Sequence, residues 1–403
     1  MNPLPFVIAE WRHSRSIFLA MAALIAFGLA ISLSVTSVER ALREASSHAA
    51  DRFDLVIGAA GNETQLVLTT VYLQPAALKL MPGTILEKLR SDKGVDHADP
   101  IATGDSYAGY PVVGTTAQFA GNFGQYKLTE GRWFSQDDEA VVGAGTTLKV
   151  GDSYTPLHGS DNENLIEQHA HAGTRVKVVG RVQSTGTPWD KAIMVPFEAM
   201  LELHNEKHMP IIEEKGPKIP DALSLGIPAI VVKPHSVMDA YRLRNLYRSN
   251  QTTATFPAET LTALYRVLGD VRELAFWIAS AGQSLAFIAV LLGLYATLSS
   301  RVQALASLRA IGASRLFVWS SVWCQVFLIL LVGALGGYLA ALLTVQSLSE
   351  IFSDRLGLTV SAALVMSDLW PLVSMVLVGA VASMVVAWSA YRPVFAQALR
   401  SEG

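Results

Sequence analysis

The most informative gap in this sequence is the lack of charge in three long segments. No Asp, Glu, Lys, Arg or His occurs in residues 274–298, 316–345 or 369–391, and charged residues make up only 16% of the chain. A helix that crosses a bilayer needs about 20 predominantly apolar residues, because lipid offers no partner for unpaired backbone groups. Each segment meets that length, so the sequence predicts an integral membrane protein.

Cysteine is almost absent as well. The only one, Cys324, lies inside the apolar segment 316–345. A disulfide needs two cysteines, so an oxidising compartment has no internal bridge to form in this chain. Any domain outside the membrane must therefore be held together by packing alone.

Signatures of catalysis are also missing. The chain has no G-x-x-x-x-G-K-[ST] phosphate loop, and no Ser/His/Asp nucleophile pattern is recognisable. The sequence therefore predicts a non-catalytic subunit without a cofactor of its own, which cannot hydrolyse ATP alone, and it gives no sign of a nucleic-acid partner.

A fourth apolar run, residues 17–38, follows a short basic stretch that includes Arg12 and Arg15. Such a run is either a retained span or a cleaved signal peptide. Its 22 residues exceed the ~7–15 of a signal-peptide core, and a helical pattern continues beyond it without a clear small-residue cleavage site. We therefore expect a retained helix and four spans in all.

Charge in the connections predicts their side of the membrane. Residues 1–16, 299–315 and 392–403 hold seven basic residues against two acidic ones, whereas 39–273 holds 23 basic and 29 acidic, and 346–368 is also net negative. Because Lys and Arg near span ends accumulate in the cytoplasm, both termini are predicted to be cytoplasmic. The predicted location is the plasma membrane, which is the inner membrane of a Gram-negative cell.

The predicted order of segments is cytoplasmic 1–16, span 17–38, extracytoplasmic 39–273, span 274–298, cytoplasmic loop 299–315, span 316–345, extracytoplasmic 346–368, span 369–391 and cytoplasmic tail 392–403.

The extracytoplasmic segment 39–273 is predicted to be an α+β domain on a helical stalk. Residues 39–51 and 258–273 have helical apolar spacing and adjoin the first and second spans, so they predict two stalk helices. Short β-rich runs alternate with helical patterns between them. The predicted strands are 53–57, 65–71, 111–114, 140–142, 175–182, 193–195 and 228–232; the helical patterns are 82–89, 197–203 and 237–247; and 156–173 and 205–221 are predicted loops.

The cytoplasmic connection 301–315 carries a distinct pattern. Leu305, Leu308 and Ile311 recur at three-residue intervals, Gly312 can supply the positive φ that ends a helix, and Ser314 can cap the next one. The pattern predicts a short amphipathic helix in the plane of the membrane interface. It is either a connector resting on lipid headgroups or a docking surface.

The run Ser-Leu-Arg-Ala-Ile-Gly-Ala-Ser at 307–314, placed between two spans, resembles the signature of the FtsX-like, MacB-type family of ABC transporter permeases. The topology of one span, a large external domain and three further spans is similar, as is the ending with Arg392-Pro393 and Ala398-Leu399-Arg400. One departure is Gln303 and Ala304, where many members carry an acidic residue. This puts in doubt a polar contact that such a residue would make with an ATPase subunit.

The resemblance implies an external domain of the MacB periplasmic core-domain type and a homodimer bound to two copies of a separate ABC ATPase subunit, which binds the ATP. It also implies that nucleotide-driven closure is transmitted through the stalk, with a periplasmic adaptor or substrate-binding protein as a further partner beside the lipid bilayer. The alternative is a non-transporting scaffold or sensor that controls a periplasmic partner. The ATPase-coupling interface that the family resemblance implies consists of Arg301, Leu305, Leu308, Arg309, Ile311, Gly312, Ala313, Ser314 and Arg315.

Three further features have competing interpretations. Gly333 and Gly337 form a G-x-x-x-G pattern, which favours close helix packing within or between subunits, against ordinary glycine use in membrane helices. Histidines in two polar segments are interpreted as surface residues rather than metal ligands, since neither set is complete. An aromatic-rich stretch is interpreted as core in preference to a contact surface; it comprises Tyr107, Tyr110, Phe119, Phe123, Tyr126, Trp133 and Phe134.

Overall fold

The computed structural model describes residues 3–158, 169–170, 175–205, 226–266, 312–357, 359–368 and 372–381, together with isolated positions at 273, 277, 280–281, 284, 287–288, 292–293, 370 and 384. The chain divides into two compact units. The first comprises residues 1–42, 269–351 and 360–403, and the second comprises 43–268 and 352–359.

The first unit is helical. It contains α1 (Leu4–His13), the start of α2 (Arg15–Ala50), most of α9 (Arg315–Leu356) and a shorter apolar helix, α10 (Leu372–Val381). By length and composition, α2 and the stretch Leu316–Ser353 of α9 are each apolar enough to cross a membrane. The predicted span 274–298 falls mostly outside the described residues, and 369–391 does so in part, so the total of four spans stays a prediction.

α2 and α9 pack along one another through two clusters of buried apolar side chains. The first cluster joins Phe18 and Ile25 of α2 to Val322 and Ile329 of α9. The second cluster continues along the pair with Leu29 and Leu33 of α2 and Ala334 and Ala341 of α9. The helical recurrence of these apolar residues explains why the two helices face each other.

The second unit contains a twelve-stranded mixed sheet. Its main path runs in the order β12-β1-β11-β2-β3-β10-β5-β9-β4; β6 pairs with β9, while β7 pairs with β2 and β8. The β10/β3 and β5/β9 pairs are parallel and the others are antiparallel. The strands are β1 (Leu55–Ala59), β2 (Val95–Tyr107), β3 (Tyr110–Thr115), β4 (Leu128–Gly131), β5 (Glu139–Val142), β6 (Ser153–Tyr154), β7 (Leu157–His158), β8 (His169–Ala170), β9 (Val176–Val182), β10 (Ile193–Pro196), β11 (Ala229–Pro234) and β12 (Thr252–Thr255).

Helices flank this sheet. α4 packs against β2, α6 against β3, and α7 against β12. Central strands such as β1 and β11 are almost continuously apolar because most of their side chains are buried, including those of Leu55, Ile57 and Ile230. The helices are α3 (Glu63–Thr70), α4 (Thr84–Ser91), α5 (Ala117–Ala120), α6 (Phe197–Asn205), α7 (Val237–Tyr247) and α8 (residues 257–266).

The prediction of a strand at residues 65–71 is wrong, because the structure forms helix α3 there. The Asn62 side chain accepts hydrogen bonds from the backbone N–H groups of Thr64 (2.8 Å) and Gln65 (3.3 Å). This cap satisfies donors that would otherwise be orphaned at the start of a helix, and the adjacent Glu63 favours the same end. Capping and the packing of Leu66 and Val67 therefore outweigh the β propensity of a Val- and Thr-rich run.

The segment 156–173 is not wholly a loop either. Its two ends form the short strands β7 and β8, in which Leu157 pairs with Ala170 and His158 pairs with His169. The predicted loop 205–221 lies outside the described residues apart from Asn205, which ends α6. Backbone pairing between the ends of a polar segment is a tertiary effect, which turn-forming residues alone do not reveal.

Candidate functional site

The predicted coupling segment, residues 301–315, is described only at its end. Arg301, Leu305, Leu308, Arg309 and Ile311 lie outside the described residues, and the structure begins again at Gly312. Its φ of 105° is a conformation that L-residues rarely adopt, as the pattern predicts.

Helix α9 follows directly after Ala313 and Ser314 and begins at Arg315. The Ser314 hydroxyl accepts a hydrogen bond from the Phe317 N–H at 3.2 Å and so caps this helix. The loop therefore ends in a glycine turn followed by a capped membrane helix.

Gly333 and Gly337 lie where α9 approaches α2 most closely. A Cβ atom at Gly333 would lie 2.9 Å from the Ile25 Cβ and 3.0 Å from the Ala22 carbonyl oxygen. A Cβ at Gly337 would lie 2.8 Å from the carbonyl oxygen of Ala26. At each position the shortest of these distances is below 3.0 Å, which real Cβ contacts essentially never show, so the two helices can approach this closely only because both positions are glycine.

We expect Gly337→Leu to destabilise the protein by ~1–3 kcal/mol or more, because a larger side chain there forces two helix backbones apart. Gly336→Ala is the matched control, since its Cβ would meet the Ala26 Cβ at 3.5 Å, an ordinary contact. Thermal unfolding in detergent measures both variants. Equal melting temperatures for Gly337→Leu and the wild type would contradict the close approach.

A partly buried ion pair joins α2 to the residues that precede the predicted fourth span. The Arg40 guanidinium donates to both carboxylate oxygens of Asp368, at 3.0 and 2.7 Å. The same carboxylate, which is 8% exposed, accepts from the Ser37 hydroxyl and the Val365 N–H. Burial opposes ionisation of Asp368, but these donors hold its pKa below the usual range. Sequence reasoning missed this pair, because 328 residues separate its members.

The pKa of Asp368 is lower in the folded protein than the ordinary carboxyl value near 3.8. The pair therefore stabilises the protein fully at pH values above 3.8, and this stabilisation is lost as the pH falls through the lower, folded pKa. Asp368→Asn should therefore lower the melting temperature at pH 7, by an amount equivalent to ~1–3 kcal/mol. The difference from the wild type should shrink below about pH 4. Exposed Glu350→Gln is the control. A difference that stays constant down to pH 3 would contradict the ionised pair.

In the second unit, the end of α2 enters a cluster of aromatic rings. The Arg52 guanidinium lies over Phe119 at 4.1 Å and Trp189 at 4.5 Å, with Phe53 and Tyr126 further out at 5.2 and 5.5 Å. Burial lowers the pKa of Arg52 to about 10, so the group stays charged at neutral pH. Cation–π contact and packing together fix this end of the helix.

The aromatic-rich stretch is thus largely structural. Phe119 and Phe134 are buried, and the other five rings are half-buried. Tyr107 and Tyr110 pack against the main apolar core of the sheet. This agrees with the interpretation of these rings as core.

Residues 184–191, here called the junction turn, connect β9 to β10. The Asp190 carboxylate organises the turn by accepting from the Ser184 hydroxyl (2.8 Å), the Thr185 N–H (2.8 Å) and the Gly186 N–H (2.9 Å). Trp189 of the same turn is buried and donates its indole N–H to the Val71 carbonyl at 3.3 Å. The turn is therefore rigid and anchored in the domain.

The junction turn receives contacts from two helices that continue from predicted spans. From α2, His48 Nε2 lies 3.3 Å from the Thr185 carbonyl oxygen, and Arg52, two residues after the end of α2, lies over Trp189. After the end of α9, the Thr359 N–H donates to the Gly186 carbonyl at 3.2 Å. The sequence predicted a stalk of two helices, and the contact made by residue 359 adds a third connection.

The part of the chain that the structure describes holds no group of three or more His, Cys, Asp or Glu side chains arranged to bind a metal. Of the histidines weighed as ligands, His169 belongs to β8 and His204 to α6. His171 and His208 lie outside the described residues.

A family model described as FtsX-like permease C-terminal matches residues 278–398. No curated protein matches the chain in sequence. The periplasmic region of MacB from Actinobacillus actinomycetemcomitans has 12% identity and a TM-score of 0.33, over 52% of this chain and 92% of that one. The extracellular domain of the noncanonic ABC-type transporter YknZ from Gram-positive bacteria has 13% identity and a TM-score of 0.29, over 50% of this chain and 98% of that one.

The family match covers the region in which sequence analysis located the resemblance. It includes the motif at 307–314, the glycine pattern of α9 and the tail with Arg392 and Pro393. The resemblance predicted from these motifs is confirmed, since residues 278–398 of the chain match the FtsX-like permease C-terminal family model.

Proposed function

We propose that this chain is the membrane subunit of an ABC transporter in which a separate cytoplasmic ATPase drives conformational change of the extracytoplasmic domain. The observation that carries the proposal is the family match over 278–398, together with a chain that has no phosphate loop of its own. ATP hydrolysis then belongs to a partner, and two copies of each subunit form the complex. The external unit is of the MacB periplasmic core-domain type in this proposal.

The contacts of the second unit support a mechanical role. Both α2 and the segment that follows α9 reach the junction turn, so a displacement of either helix bears directly on the sheet. The predicted spans 274–298, 316–345 and 369–391 contain no Asp, Glu, Lys, Arg or His, whereas transport pathways for ions and polar substrates usually require such residues. Export or extraction of a substrate from the periplasm or the membrane surface therefore fits better than passage between the spans.

Affinity purification of the tagged chain from its native membrane tests the proposal. We expect an ABC ATPase to co-purify in a 1:1 ratio, and nucleotide to change a distance between two labels on the external domains. Absence of any ATPase would overturn the proposal. A complex whose nucleotide-dependent motion activates a periplasmic protein but moves no cargo would instead be the scaffold or sensor.

The proposed topology places both termini in the cytoplasm. In a Cys324→Ser background, Asp137→Cys on the exposed surface of the external unit should react with an impermeant thiol reagent in intact spheroplasts. Ser307→Cys should react only after lysis, because it lies in the predicted cytoplasmic loop. Labelling of position 307 from outside would reverse the orientation, and a cysteine at 137 that needs lysis would do the same.

A further inference from the structure

A cleft of about 630 Å³ lies between the end of α2 and α8, wholly within the second unit. Its size is that of a small-ligand site. The residues that line it are Arg43, Ser47, Ala50, Asp51, Phe53, Asp54, Ala258, Leu261, Thr262, Tyr265 and Arg266.

The charges of the cleft are separated along its length. Arg43 lies over the Tyr265 ring at 5.4 Å, and Arg266, the next residue of α8, also lines the cleft, so both arginine residues belong to the same end. Asp51 and Asp54 lie eight and eleven residues after Arg43, towards the other end. The arrangement attracts an anion to the arginine end and repels it from the acidic end.

The carboxylates at the acidic end have neighbours of their own. An oxygen of Asp51 lies 3.2 Å from His48 Nδ1. Desolvation raises the pKa of Asp54, and the charge of Lys233 opposes this shift. Both carboxylates therefore lie beside residues other than the arginines of the cleft.

The arginine end suits a phosphate. Guanidinium groups present paired N–H donors that match phosphate oxygens, and two of them on different helices can hold one group from two sides. The hydroxyls of Ser47 and Tyr265 line the same cleft and supply further donors. Ala50 and Leu261 add apolar surface beside them.

The position of Arg43 along α2 indicates the source of the phosphate. It lies five residues beyond the predicted end of the span at Val38, about 7.5 Å along a continuous helix. The polar headgroup layer extends roughly 5–8 Å beyond the hydrocarbon core. Arg43 is therefore level with the headgroups, where phosphate is concentrated.

We propose that the arginine end of this cleft binds the phosphate of a phospholipid headgroup in the outer face of the membrane. A phosphate held by Arg43 of α2 and Arg266 of α8 links the two stalk helices. Binding then restrains the helices through which the proposed transporter transmits force. The inference rests on the proposed topology, because it requires α2 to leave the membrane near Val38, but lipid binding itself needs no ATPase.

The test uses the full chain, purified in detergent and examined by native mass spectrometry during titration with short-chain phosphatidylglycerol. The double variant Arg43→Gln/Arg266→Gln should bind the lipid about tenfold more weakly than the wild type, because it loses charge-assisted hydrogen bonds. Arg242→Gln/Arg248→Gln is the control, since it removes two exposed arginines of the same domain that pair with Asp92 and Glu63. Thr262→Phe, at an exposed position of the cleft, should block binding without a change of charge.

Equal lipid binding by the wild type and the cleft variants would overturn the proposal. Titration with inorganic phosphate distinguishes the sources: competition at concentrations equal to those of the lipid would assign the cleft to a soluble anion and also overturn it. The ATPase that co-purifies with Arg43→Gln/Arg266→Gln is measured as well. A variant that keeps the ATPase but binds less lipid shows a failure of lipid binding alone, and not a failure of the proposed function.

Discussion

Leu308→Asp is expected to abolish co-purification of the ATPase subunit while the chain still inserts and folds. Leu308 is central to the apolar stripe of the predicted coupling helix, with Leu305 and Ile311 one turn to either side. Docking would bury the new carboxylate without a partner, at a cost of ~1–3 kcal/mol or more for an unsatisfied polar group. Quantitative mass spectrometry of the purified complex measures the loss.

Ala306→Asp is the matched control, because two residues rotate a helix by about 200° and so place position 306 on the opposite face. It introduces the same charge two residues away and should leave the complex intact. Gly312→Val should weaken the complex as well, since a β-branched residue at a φ of 105° is strained. Undiminished ATPase binding by Leu308→Asp, or equal loss in Ala306→Asp, would remove this stripe from the interface.

Flexible insertions at the boundaries of the two units are expected to uncouple ATP hydrolysis from motion of the external domain. The boundaries lie after Leu42, after Leu268 and after Ile351. Gly/Ser segments behave as random coils and transmit little displacement. Seven-residue Gly-Ser insertions at all three positions should therefore preserve assembly and ATPase activity but remove the nucleotide-dependent distance change between the external domains.

The control replaces each Gly-Ser segment with seven residues of a helix-forming Ala-rich sequence, which adds about two turns and nearly preserves the helical register. Helical insertions should retain more of the distance change than flexible ones. Insertions after Leu42 and Leu268 alone should leave a residual change, because α9 still connects to the junction turn through Thr359. Full motion with all three flexible insertions would exclude mechanical transmission through these helices.

The first experiment concerns a pattern that is visible in the sequence alone, whereas the third connection tested in the second experiment came from the structure. The absence of charge marks the apolar segments because the cost of burying an ionised group in lipid applies to each residue separately. The roles of Gly312 and Ser314 could also be predicted from the sequence, because a positive φ and a helix cap each depend on only a few consecutive residues. The family motif is local too, and the match over 278–398 confirms it.

Where a sequence pattern is compatible with two structures, only the tertiary structure shows which one forms. The Val- and Thr-rich run at 65–71 has β propensity, yet the Asn62 cap and its surroundings make it helical. The G-x-x-x-G of α9 indicates close packing without naming a partner, and the structure supplies α2 of the same chain. The sequence leaves such cases open because the energy that decides them comes from neighbours that are distant along the chain.

The same reason explains what sequence reasoning missed. Arg40 and Asp368 each look like an isolated surface charge in the sequence, and the pair exists only because the segment that ends at Asp368 packs against α2. Arg52 acquires its aromatic neighbours, and the junction turn its contact with Thr359, in the same way. Composition and periodicity thus determined that the chain enters a membrane and carries an α+β domain. Which residues join the helices to that domain was decided by long-range packing, which sums many weak contacts over the whole fold.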